Sequence, residues 1–84
     1  MNSHAFAIRD NKAGCFLQPF YCPNRGVAVR TIQTALRSDE QFQAYPGDFE
    51  LFEIGTWDPW SGELKAVPLE SLGLLTQYVE NGNG

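Results

Sequence analysis

Cysteine, histidine and lysine are scarce in this chain. Its 84 residues include Cys15 and Cys22, His4 alone, and only Lys12 and Lys65. A structural zinc site needs four ligands, usually from close cysteine pairs, and two cysteines with one histidine fall short. A small secreted disulfide scaffold would carry more cysteines. Cys15 and Cys22 are therefore expected as reduced thiols, the alternative being one bridge across a short loop. No apolar run approaches the ~20 residues of a membrane span, and Arg9, Asp10 and Lys12 interrupt the first twenty residues where a signal peptide would be apolar. Basic charge is also short. Six Lys+Arg against ten Asp+Glu give a net charge of -4, which disfavours indiscriminate binding to nucleic acid or anionic membrane. The expectation is a soluble, acidic, intracellular single domain over residues 1–79, followed by a disordered Asn-Gly tail over 80–84.

Catalytic machinery is equally sparse. Asn24-Arg25-Gly26 has one glycine and lacks the spacing of a phosphate-binding loop. His4 lies at the chain start, without the rigid support a general base requires. Cys15 or Cys22 would need that same imidazole as a partner to act as a nucleophile. Glu50 and Glu53, three apart on a strand, point to opposite faces and make a poor carboxylate pair. The chain is expected not to be an enzyme and to hold neither a metal nor a cofactor.

What is present is 43% hydrophobic residues, ordinary for a globular chain, in which helix and strand patterns alternate. Ala5 to Arg9 alternates as a strand, and Asp10 to Gly14 suits a turn into Cys15-Phe16-Leu17. Pro19 and Pro23 bracket Phe20-Tyr21-Cys22 as an extended aromatic connection. Asn24 suits an N-cap for a helix over Val27–Arg37, with Ala28, Ile32, Ala35 and Leu36 on one face and Arg30, Gln33 and Arg37 on the other. Ser38 to Asp48 reads as a polar connection ending in a turn at Tyr45-Pro46-Gly47-Asp48. Phe49 to Trp57 is the longest strand, apolar at both parities, as in a strand covered on both faces or one carrying a bulge. Asp58 to Gly62 turns it back through Glu63–Val67. Leu69, Leu72 and Leu75 recur at period three and admit a short helix over 68–78, against which Gly73 and Thr76 weigh. The expected fold is α+β: a small antiparallel sheet of about four strands, one main helix packed on it, and that short C-terminal helix.

Charge is unevenly divided. Residues 1–37 hold five basic side chains against Asp10 alone, a balance of +4, whereas residues 38–84 hold nine acids against Lys65 alone, a balance of -8. Either the halves pack together and their charges attract, or a basic face stands on an acidic body. Aromatic side chains interleave with the arginines. Rings that stack on bases beside guanidiniums that meet phosphates are the means by which single-stranded nucleic acid is bound. Arg25, Arg30 and Arg37, with Lys12 and Arg9, are the candidate phosphate contacts, and Tyr21 or Phe20 the candidate stacking ring. Phe16 and Phe20 also suit a core, as does Trp57. Trp60 at a loop tip, with Leu69 and Leu72, suits a protein contact instead.

The run Ala7-Ile8-Arg9-Asp10-Asn11-Lys12-Ala13, then Pro19-Phe20-Tyr21 and Gly26-Val27-Ala28-Val29-Arg30, resembles the small nonstructural protein of the gokushovirus branch of the Microviridae. The likeness continues through Tyr45 to Gly55 and closes with Trp57-Asp58 and Ser61-Gly62, over residues 5–79. Positions 46–48 read Pro-Gly-Asp where that family often has Pro-Glu-Asp. The resemblance implies a bacteriophage protein of the host bacterial cytoplasm, similar in role to the microviral protein that switches replication to single-strand synthesis and helps load DNA into the procapsid. It carries over no residue-level motif. Two functions are expected from residues and resemblance together. The first is an accessory protein that binds viral single-stranded DNA in genome synthesis or packaging. The second is a protein–protein module, an assembly factor or modulator of a host enzyme, without direct DNA binding. Phage replication or procapsid proteins are the expected partners. A homo-oligomer is expected under either, since a small sheet leaves edges to cover.

Overall fold

Phe6 and Ile8 face one side of the first strand and Ala5 and Ala7 the other, and the architecture follows from that difference. In a computed structural model describing residues 3–79, β1 (Ser3–Asp10) is a central strand with all four of these side chains buried. Two short strands, β2 (Cys15–Phe16) and β3 (Phe20–Cys22), pair antiparallel with its one edge. On its other edge lies β4 (Phe49–Trp57), and beyond that β5 (Leu64–Leu74), both antiparallel. The sheet thus has five strands, and Phe20-Tyr21-Cys22, expected as a connection, is one of them. Pro19 and Pro23, which bracket β3, lie outside that strand, where no ladder donor is lost.

Helix α1 (Arg25–Ser38) covers the Phe6 side. Its start is set by Asn24, whose side-chain oxygen accepts from the Val27 amide at 2.9 Å. Its stripe of Ala28, Ile32 and Leu36 is buried against Phe6, Ile8, Phe49 and Leu51, as the 3.6-residue period requires. The Ser38–Asp48 connection contains a short helix that the sequence did not announce, α2 (Glu40–Ala44), started by Asp39 accepting from the amides of Gln41 and Phe42. Five residues are too few for a helical period to show. Phe42 anchors α2 edge-on against Phe49, with ring centroids 4.8 Å apart. A 3-10 turn over Pro46–Asp48 then leads into β4.

The expected helix over 68–78 takes a different form. Leu69 and Leu72 belong to β5, which runs on to Leu74, and only a 3-10 turn over Leu75–Tyr78 follows. Two shifts of register between β4 and β5 break the strand's alternation, so the leucines fall at a helical spacing without being helical. Leu75 is fully buried, and the Tyr78 hydroxyl donates to the Leu72 carbonyl. The expected tail, 80–84, lies outside the described residues.

A bulge is also what β4 required. Pairing with β1 shifts between Ala5 and Phe6, so that Gly55 faces Ala5 while Glu53 faces Phe6. At Gly55 a Cβ would come within 2.5 Å of the Lys65 carbonyl oxygen, so only glycine allows this approach of β5. Phe49, Leu51 and Glu53 face the helix. Phe52 and Ile54 face the opposite side, which no helix among the described residues covers.

Candidate functional site

Three surfaces carry most of the side chains singled out from the sequence. The first is the N-terminal end of α1. Arg25 opens the helix, but its guanidinium is engaged by the sheet: Nε donates to Glu53 Oε1 at 2.7 Å, and Nη2 lies 3.0 Å from Glu70 Oε2. His4 Nδ1 lies 3.0 Å from the other oxygen of Glu53. Burial alone would raise the Glu53 pKa. The hydrogen bonds from His4 and Arg25, and then their charges, outweigh it and hold this carboxyl below the ordinary carboxylate value. The opposed charges of the two halves therefore meet inside the fold, and Arg25 positions α1 on β4 and β5.

The outward face of α1 is the second surface. Over its 14 residues the helix has three arginines and no acid. Arg30 and Arg37 are exposed on it, with Thr34 between them, its hydroxyl turned back to the Arg30 carbonyl. Seven residues at 1.5 Å rise put them about 10 Å apart along the axis. Gln43 of α2 donates to the Arg37 carbonyl at 2.7 Å, fixing the helix end. Arg37, Gln33, Leu36, Gln43 and Val79 line a shallow cleft of about 400 Å³ there.

Arg9 and Lys12 stand elsewhere, on β1 and the turn after it. Arg9 donates to the Asn11 side chain at 2.6 Å, and Asn11 in turn to Glu50. The Ser71 hydroxyl donates to Glu50 at 2.5 Å; this bond, then that of Asn11, lowers the Glu50 pKa. Asp10 accepts from the amides of Lys12 and Ala13, holding the turn that displays Lys12.

The third surface is the open face of the sheet. Ala5, Ala7, Gly55 and Ala66 form a low floor. Phe16, Leu17, Pro19 and Tyr21 stand on one side, and Ile54, Trp57, Leu64 and Leu69 on the other. Tyr21 and Trp57 form a ring pair at 6.0 Å, and Phe16 meets Phe52 edge-on at 5.4 Å. Phe20, paired with Phe6, faces the helix side and packs on the core with its ring 5.8 Å from that of Phe6. Of the two stacking candidates, only Tyr21 is therefore on the open face, and it is on the opposite side of the sheet from Arg30 and Arg37. Leu72 packs on the core and Leu69 on the open face, so these two do not share a surface. Trp60 is 83% exposed at the tip of the β4–β5 hairpin, where Asp58 accepts from its amide at 2.9 Å.

Phe16, expected in the core, is 40% exposed. The open face is not legible in the sequence as a unit because its members come from all five strands. Its one signal was the apolar residues at both parities of Phe49–Trp57. Cys15 is exposed and Cys22 buried, and both are free thiols. Among the described residues no group of three or more His, Cys, Asp or Glu could hold a metal ion, and no helix is long and apolar enough to cross a membrane.

A two-layer α+β chain, with a cationic helix on one side of the sheet and no described helix on the other, is thus the class of molecule defined. Residues 3–78 match the family model described as Phage ORF5 protein, and the chain belongs to that phage protein family. Comparison with curated proteins and with solved structures returned no match.

Proposed function

We propose that this chain is the small nonstructural accessory protein of a gokushovirus-type phage, and that it binds DNA, single strands in preference, during viral genome synthesis or packaging in the host cytoplasm. It acts by binding and not by catalysis. The observation that carries the reading is the composition of α1: three arginines and no acid on the longest helix of a chain whose net charge is -4. Local positive charge on an acidic body favours a phosphate contact at one place while the rest of the surface repels the strand. Family membership, the resemblance to the gokushovirus protein and the position of Arg30 and Arg37 on the outward face support it. Arg25 has its charge taken up by Glu53 and Glu70 and serves as a positioning residue.

Fluorescence anisotropy of labelled single- and double-stranded oligonucleotides, titrated at several salt concentrations, tests the proposal. Salt-sensitive binding that favours single strands is the expected result. No binding at low salt would overturn it.

A second reading, the protein–protein module, is favoured by Trp60. A tryptophan held out by a capped turn is the kind of side chain that dominates protein contacts. Phage replication or procapsid proteins are its proposed partners, and capture of one of them that fails with Trp60→Ala would support it.

A further inference from the structure

We infer that the open face of the sheet is the contact between two copies of this chain. This stands apart from the DNA reading and rests on different residues.

The face needs a cover. Phe52 and Ile54 make β4 apolar on the side away from α1, the pattern of a strand buried on both faces, yet among the described residues a helix covers only one of them. Phe16, Leu17, Tyr21, Leu64 and Leu69 are each 40–61% exposed on a single surface. Isolated exposed apolar side chains are ordinary, but a contiguous set is not.

Size, charge and shape point to a second copy as the cover. Four strand positions about 4.8 Å apart and eight residues of about 3.3 Å give a projected face of roughly 500 Å². Side chains standing on it enlarge the accessible area. Two such faces reach the ~1,000 Å² or more that a specific interface requires. Each copy carries a net charge of -4, so like copies approach only through a surface that is itself nearly neutral. Lys65 is the one charged residue lining the floor and walls of this face, and Arg9 and Glu50 stand at its margin.

The face is also complementary to itself. Its floor is Ala5, Ala7, Gly55 and Ala66, and its walls are aromatic and leucine side chains. A two-fold rotation lays the walls of one copy over the floor of the other, the isologous arrangement of most homodimers. The two sheets pack as a sandwich about 10 Å apart, with a helix on each outer face. Both cationic helices then remain accessible, on opposite sides of the pair.

Light scattering and sedimentation equilibrium on the full chain are the test, with Leu64→Glu/Leu69→Glu as the interface variant. Both leucines are about 60% exposed, so the change leaves the fold of one chain intact. The wild type is expected at twice the 9.4 kDa chain mass, and the double variant at the chain mass with an unchanged far-ultraviolet dichroism spectrum. In Trp60→Phe, the remaining Trp57 should shift its emission to the red on dilution as the pair separates. That measurement decides the matter if the double variant does not fold. A wild type at the chain mass at every concentration would overturn the inference, as would a double variant that stays dimeric. So would quenching of Trp57 by a single-stranded oligonucleotide at one strand per monomer, which would assign the face to nucleic acid. Loss of all oligonucleotide binding with the mass still doubled would remove the DNA reading and leave the dimer standing.

Discussion

Arg25 Nε donates to Glu53 Oε1 at 2.7 Å, so the first residue of α1 is tied to the middle of β4. The carboxylate is buried and the guanidinium half-exposed, which makes the pair an attachment point for the helix more than a surface ion pair.

The pH dependence follows from the direction of the Glu53 shift. Its pKa in the folded chain lies below the ordinary 4.5, so the folded state binds fewer protons than the unfolded one. The stabilisation is fully present above that ordinary value and is lost as pH falls through the depressed one. Urea midpoints of the wild type should therefore drop on acidification below about pH 5. Glu53→Gln should be less stable than wild type at pH 7 and show a shallower acid loss. Equal acid slopes would contradict the account.

Gly55 tests the bulge. Any side chain there meets the Lys65 carbonyl within 2.5 Å, and backbone does not yield as a flexible side chain would. Gly55→Val should cost about 1–3 kcal/mol, the range for forcing extra atoms into a packed site. A denaturant midpoint equal to wild type would show that β4 and β5 separate there readily.

The helix start gives a smaller effect. Asn24 satisfies the Val27 amide, and Asn24→Ala should cost about 1 kcal/mol in denaturant unfolding. Asn24→Asp should restore most of it, since a carboxylate accepts the same bond.

Local patterns made much of this legible. The period of Ala28, Ile32 and Leu36 and the Asn24 cap placed α1 within two residues of its observed start, and Phe49–Trp57 has the same bounds in the fold as in the pattern. Position in space was less legible. Tyr21 and Arg30 lie nine residues apart, yet a strand end and a helix separate them onto opposite layers. Arg25 looked like its neighbours in sequence because its acids, Glu53 and Glu70, are brought to it only by the pairing of β4 with β5. The leucines of 69–75 misled for a related reason: bulges alter the period of a strand, and a bulge depends on the partner strand.

The central claim is that phosphate is met by the outward face of α1, and one comparison tests it most directly. The salt dependence of single-stranded oligonucleotide binding should be measured for the wild type, Arg30→Gln/Arg37→Gln and Arg25→Gln. Two phosphate contacts contribute about 1.4 to the logarithmic salt slope, at about 0.7 each on single strands. The double variant should lose that amount. Arg25→Gln should keep the wild-type slope, because its charge is already neutralised within the sheet. A slope unchanged in the double variant, or lost with Arg25 instead, would contradict the account.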